Sequence, residues 1–206
     1  MKVLVMGAGG RTGRAVVARA VEAGHEVTAF LHSGIAYDLP GVSVHSGEAS
    51  DTATIDAAVA GQDAVIDTIG GKTPYRRTSL ETDAAETIVA SMQRHHVPRL
   101  IVTSSIGVGN SWRHAPLSIK LVVATFLRGS TRDKAGMEAA VRRSELDWVI
   151  TRPATLTDTP STDEVRVFTE PSPKAHSIDR GSLAAFLVAQ LVDNQHLASA
   201  VTIATQ

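Results

Sequence analysis

The chain opens with an apolar run, Lys2-Val3-Leu4-Val5-Met6, that passes without a break into Gly7-Ala8-Gly9-Gly10-Arg11-Thr12-Gly13. No other feature narrows the fold as much. Five residues with no polar alternation read as a strand buried on both faces, which is the habit of parallel sheets covered by helices. The glycine spacing is G-x-x-G-x-x-G, and the Ala- and Val-rich stretch Arg11–Ala23 follows it with helical character, ended by Gly24. In a strand–turn–helix unit of this kind the first glycine allows the tight turn. The second lets the backbone approach a pyrophosphate, and the third lets the helix pack close to the strand. Amide groups at the helix start then face the phosphates.

The alternation continues to the end of the chain. Strands are expected at Glu26–Leu31, Gly41–His45, Asp63–Ile69, Arg99–Ser104 and Asp147–Thr151, with a small strand at Val165–Phe168 and a closing strand at Val201–Ala204. Helices are expected at Thr52–Ala60, Ser79–His95, Ser118–Ser144 with a split near Gly129, and Asp179–Val192. Asp51 is placed to cap the helix at Thr52, and Gly61 to stop it. This pattern predicts one α/β domain over residues 1–206: a doubly wound, mostly parallel Rossmann sheet in the order 3-2-1-4-5-6 with a short seventh strand.

Composition limits the function. With 20 Lys+Arg against 21 Asp+Glu, the formal net charge is −1. That provides no electrostatic footprint for nucleic acid or an anionic membrane, so the expected partner is a small molecule. There is no cysteine, which excludes disulfides, thiolate metal sites and a cysteine nucleophile. No secretory leader is seen at the N-terminus, and no apolar run approaches the length of a membrane span, so a cytoplasmic location is expected. The adjacent pair His95-His96 does not suit one metal ion, because neighbouring helix positions point apart.

An acid at the end of the second strand would hold the ribose hydroxyls of NAD. Here that position reads Leu31-His32-Ser33. Arg11 in the turn is a candidate for a ribose 2′-phosphate, with His32 and Ser33 adding hydrogen bonds. NADP(H) is therefore the expected cofactor, with NAD(H) the alternative.

The glycine turn, the segment Ala60-Gly61-Gln62-Asp63-Ala64-Val65-Ile66, the strand end Thr103-Ser104-Ser105 and the stretch Asp147–Asp158 with Arg152-Pro153 together resemble the atypical short-chain dehydrogenase/reductases. Within them the chain is similar to the NAD(P)H-binding group that includes the biliverdin and flavin reductases, over essentially its whole length. The resemblance implies that Gly7, Gly10, Arg11, Thr12 and Gly13 line the pyrophosphate and adenosine. It implies an acid near the adenine at Glu48, and a backbone border to the cofactor at Ile69 and Gly70. Ser105 matches an active-site serine beside the nicotinamide. Lys134, with Glu138 one turn later, matches the lysine that binds the nicotinamide ribose. Pro153, Ala154 and Thr155 match the loop after the sixth strand.

The departures from that pattern bear on chemistry. Short-chain dehydrogenases carry a tyrosine four residues before the lysine, and here the position is Ser130. Biliverdin-reducing relatives carry histidines where this chain has Lys134 and Ala154, and His32 stands where they have an arginine. Reduction of an isolated carbonyl needs a positioned acid. Flavins and quinones take hydride into a conjugated system and ask less of the protein. The expectation is an NADPH-dependent reductase of such acceptors. The alternative is a non-catalytic dinucleotide-binding regulator of the NmrA type. Tyr75, Arg76, Arg77, Trp112 and His114 are further candidates for the acceptor wall, each with an ordinary surface or packing role as its alternative.

Overall fold

The computed structural model describes residues 1–71, 78–108, 128–169 and 175–205. Tyr75, Arg76, Arg77, Trp112, His114 and the expected helical stretch 118–127 lie outside the described residues. Elements follow in the order β1 (Lys2–Met6), α1 (Arg11–Glu22), β2 (Glu26–Leu31), β3 (Val42–Ser46), α2 (Thr52–Val59), β4 (Ala64–Asp67), α3 (Leu80–Arg94) and β5 (Arg99–Thr103). Then come α4 (Arg128–Arg143), β6 (Asp147–Pro153), β7 (Thr155–Thr157), β8 (Arg166–Phe168), β9 (Ser177–Asp179), α5 (Arg180–Ala189) and β10 (Ser199–Ala204).

The main sheet runs β3-β2-β1-β4-β5-β6-β10-β8. The expected order is present, and β10 supplies the seventh strand, parallel to β6. One addition is an edge strand, β8, that pairs antiparallel with β10. The other is a second, two-stranded parallel sheet, β7 with β9. Among the described residues no helix is long and apolar enough to cross a membrane.

The period-2 geometry of a strand explains why β1 is apolar from Val3 to Met6. Val3 and Val5 enter one core with Val16, Val17 and Ala20 of α1 and Leu183 and Leu187 of α5. Leu4 and Met6 enter the other, with Ile55 of α2, Ile88 and Met92 of α3, and Met137 of α4. Strand order reverses at β1, whose neighbours are β2 and β4. Such a reversal opens a crevice at the carboxyl ends of the strands. Asp51 caps α2 as expected, accepting from the Ala53 amide at 3.1 Å and the Thr54 hydroxyl at 2.6 Å.

One expectation is corrected. The stretch Pro153–Thr155 is not a free loop. β6 continues through Pro153, in register with Ile203 of β10. The Ala154 amide donates to the Ile203 carbonyl at 2.9 Å and the Thr155 amide to the His176 carbonyl at 3.3 Å. Two ladders hold this backbone, because β10 closes the sheet against it and β9 opens a second sheet from it.

Candidate dinucleotide site and its buried polar floor

The three motif glycines are each needed for a different reason. Gly7 has φ +70°, and a Cβ there would lie 3.0 Å from the Thr68 carbonyl and the Ile69 nitrogen. The turn therefore lies directly on the end of β4. At Gly13 a Cβ would meet the Gly7 carbonyl oxygen at 2.3 Å and the Ala8 Cα at 2.7 Å, so only glycine lets α1 start this close to β1. Gly10 differs, since the one atom near its Cβ position is the Gly7 carbonyl oxygen at 3.4 Å. It faces outward as the N-cap of α1, with no side-chain cap bond. The first-turn amides of a helix have no intrahelical partner. Here they face an open surface beside the ends of β1 and β4. Free amides at a helix start suit an anionic group.

The residues expected at the adenosine lie at the ends of β2 and β3. His32 Nε2 lies 3.1 Å from Glu48 Oε1, and both side chains are exposed. Ser33 follows His32, whose Nδ1 is 3.0 Å from the Ser33 carbonyl. The structure thus gathers His32, Ser33 and Glu48 at one corner.

Arg11 is directed elsewhere. Its guanidinium binds Asp158 at 2.6 Å, and Arg180 binds the other oxygen of the same carboxylate. The residue that reaches the loop after β2 is Arg14, which motif spacing does not single out. Its Nε donates to the Gly9 carbonyl at 3.3 Å and its NH2 to the Ala36 carbonyl at 3.5 Å, and its guanidinium lies 4.9 Å from the Tyr37 ring centre. Arg11 and Arg14 are three apart on the helix, yet their long side chains diverge to opposite sides of the turn.

On the other side of the crevice Ser105 is half-buried just past β5. Its neighbour Ser104 is buried and donates to Glu138 Oε1 at 2.7 Å. Glu138 also accepts from Arg152 Nε at 2.8 Å and NH2 at 2.6 Å. Burial alone pushes the Glu138 carboxyl up, but the Arg152 bonds and charge, with Ser104 and Arg142, outweigh it and hold it below the usual carboxylate range. Hence Lys134 does not pair with Glu138. Its Nζ bonds Glu81 Oε1 on α3 at 3.1 Å, and that side chain is only 13% exposed.

The helix that carries Lys134 is held in register by its neighbour Asp133. That carboxylate accepts from the Glu81 amide at 3.2 Å, the Thr82 amide at 2.9 Å and the Thr78 hydroxyl at 2.7 Å. It therefore caps α3 from a different helix. Gly136 permits the close approach, since a Cβ there would sit 2.3 Å from the Thr82 hydroxyl.

Beneath Ile69 and Gly70 lies Asp67, a buried carboxyl. Its Oδ1 accepts from the Ile69 amide at 2.9 Å. Burial pushes Asp67 up to about 7, against the opposing pull of the Ile69 amide and Lys134, while Glu81 adds to the rise. Glu81 Oε1 also accepts from the Gly71 amide at 3.0 Å. Sequence did carry a signal for Asp67: an acid ends the otherwise apolar strand Ala64-Val65-Ile66-Asp67. On a central parallel strand such a group is covered, and a covered charge needs a partner or a proton.

Comparison with known proteins supplies the family. The model of a family described as NAD(P)H-binding matches residues 7–194. A 2-alkyl-3-oxoalkanoate reductase from Stenotrophomonas maltophilia is 31% identical over 121 residues, 55% of this chain and 36% of the relative. The chain thus spans about a third of the length of that curated relative. Among solved structures, ChuY from Escherichia coli O157:H7, described as an anaerobilin reductase, superposes with a TM-score of 0.79 at 22% identity, covering 99% of this chain and 97% of that one. A short-chain dehydrogenase/reductase from Veillonella parvula, solved in complex with NADP, superposes at 0.73 with 16% identity, covering 98% and 94%. Strand order, glycine turn and family model agree: the chain belongs to the NAD(P)H-binding family, the group its sequence resembles.

Proposed function

We propose that the protein is a cytoplasmic NADPH-dependent reductase that passes hydride to a small conjugated acceptor of the flavin or quinone kind, with NADH the weaker donor. The observation that carries the reading is the uncapped start of α1 at Gly10, open beside the end of β4, on a chain with Ser130 where short-chain dehydrogenases keep a phenol. A bound nicotinamide would supply the hydride, and the protein supplies position and exclusion of water. The reductase names carried by a sequence relative and a structural neighbour support the reaction class. A cysteine-free chain suits a reducing compartment.

The residues divide the work. Gly7, Gly10, Thr12 and Gly13 hold the pyrophosphate through backbone. His32, Ser33 and Glu48 border the adenosine, and Ile69 and Gly70 border the cofactor from the β4 side. Lys134 orients the nicotinamide ribose. Ser105 lies at the transfer site just past β5, and Pro153, Ala154 and the exposed Thr155 border it from the neighbouring strand end of β6. NADPH oxidation with FMN, menadione and a redox dye tests the reading. Turnover of any of these above the non-enzymatic rate supports it. Tight NADPH binding with no turnover would replace it with the regulator reading.

The 2′-phosphate contact is assigned to Arg14 in place of Arg11, whose charge is already met by Asp158. Arg14→Ala is expected to weaken NADPH by about 1.5–3 kcal/mol, the scale of a charge-assisted hydrogen bond, and to leave NADH nearly unchanged. Arg11→Ala is expected to affect both cofactors alike. Calorimetry with the two dinucleotides decides the matter, and a selective NADPH loss in Arg11→Ala would return the contact to Arg11.

A further inference from the structure

We propose that Asp67 and Glu81 hold one proton between them and that this proton, passed out through Lys134, is the one delivered to the acceptor during reduction; the proposal rests on the reductase reading above. Two carboxyl side chains and one ammonium share a buried site at the end of β4. Asp67 is 3% exposed and Glu81 2%. Lys134 neutralises one carboxylate, bonding Glu81 at 3.1 Å. A second buried negative charge has no cation to meet it among the described residues. Asp67 pairs in register with Met6 of β1 and Val102 of β5, both apolar. The charged groups acting on it are Lys134 from α4 and Glu81 from α3, while Asp133 is committed to capping α3. An uncompensated buried carboxylate takes up a proton instead of staying ionised.

An independent observation agrees. Glu81 Oε2 is buried and has no hydrogen-bond partner among the described residues. Ionised carboxylate oxygens in interiors are almost always bonded. An O–H on the neighbouring acid would supply the donor that this oxygen lacks. The upward shift of Asp67 to about 7 points the same way.

The location gives the proton a use. Reduction of a neutral quinone or flavin consumes one hydride and one proton, and Ser130 stands where short-chain dehydrogenases keep the tyrosine that donates it. The acceptor gains hydride from the reduced nicotinamide and a proton from the Lys134 ammonium. The carboxyl pair re-protonates Lys134, and solvent restores the pair. Lys134 is the member of the cluster with a partly exposed side chain, so it is the exit. Asp67 and Glu81 act through it as positioning residues.

The test separates this step from hydride transfer. Menadione needs a proton on reduction, whereas cationic methylene blue accepts hydride to give a neutral product. In Asp67→Asn and Glu81→Gln the menadione-to-methylene-blue rate ratio is expected to fall at least about tenfold, the low end for loss of general acid catalysis being about a hundredfold. The wild-type menadione rate is expected to decline as pH rises through about 7, and that limb to vanish in Asp67→Asn. The cofactor-free protein gives a second readout. Its infrared spectrum should show a protonated-carboxyl C=O band that fades over the same pH range and is missing from Asp67→Asn. Absence of the band in the wild type, or an unchanged ratio and pH limb in either folded variant, overturns the proposal. If the wild type reduces neither acceptor, the reductase reading falls and delivery falls with it. The infrared band then still decides whether the pair holds a proton.

Discussion

Gly10→Asp is expected to leave the fold standing and to abolish binding of both dinucleotides. Gly10 has φ −74° and ψ 164° at the N-cap of α1, extended angles that aspartate adopts freely. Its Cβ would meet nothing closer than 3.4 Å. Aspartate is also among the preferred N-cap residues, and replacing a glycine there changes stability by only a few tenths of a kcal/mol. The same carboxylate would bond the first-turn amides and place a negative charge where the pyrophosphate must lie. Affinity for NADPH and NADH should both fall at least about a hundredfold, near 3 kcal/mol, while the thermal midpoint stays level or rises. Calorimetry and thermal unfolding on the same preparation check both halves. Retained binding would remove the pyrophosphate from this turn.

Glu138→Ala is expected to destabilise the fold more than any of the other substitutions proposed. Glu138 joins three elements, accepting from Ser104 beyond β5, Arg152 on β6 and Arg142 on its own helix. Arg152 is 3% exposed, so the substitution takes from a buried guanidinium the carboxylate that it bonds through two nitrogens. Breaking such a pair costs about 3–5 kcal/mol, a large share of the roughly 5–15 kcal/mol that holds a typical domain together. The denaturant midpoint reads the loss directly. The sign of the pH dependence follows from the depressed Glu138 carboxyl. A group held below its unfolded value stabilises above the unfolded pKa, and that contribution disappears as pH falls through the folded one. Wild type should therefore lose stability in acid more steeply than Glu138→Ala. A cost under about 1 kcal/mol would mean that the site relaxes or admits water.

Much of the molecule is legible in the chain itself. Strand order follows from the alternation of apolar runs and helical stretches, because a strand buried on both faces cannot tolerate polar alternation. Asp51 and Gly61 mark the ends of α2 through local chemistry alone. Gly7 and Gly13 are legible for the same reason, since their constraint lies within a seven-residue turn. The family follows from the same motifs and is supported over residues 7–194.

The side-chain partnerships of the site could not be read this way. Glu138 lies one helical turn after Lys134, yet the structure gave that carboxylate to Arg152 and Lys134 to Glu81. Spacing brought Arg11 to the cofactor, while the fold turned it to Asp158, 147 residues away, and left Arg14 beside the β2 loop. It also left Pro153–Thr155 as a loop, where pairing with β10 and β9 makes strand. The sequence by itself determined most of the backbone: which of the main segments become strand or helix, and where glycine is obligatory. Those constraints act over a few residues or through the periodicity of burial. Tertiary structure decided where the charges sit. An ion pair forms with whatever opposite charge the packing brings within reach, and in a buried site with two carboxyls and one ammonium that contest also decides which group keeps a proton.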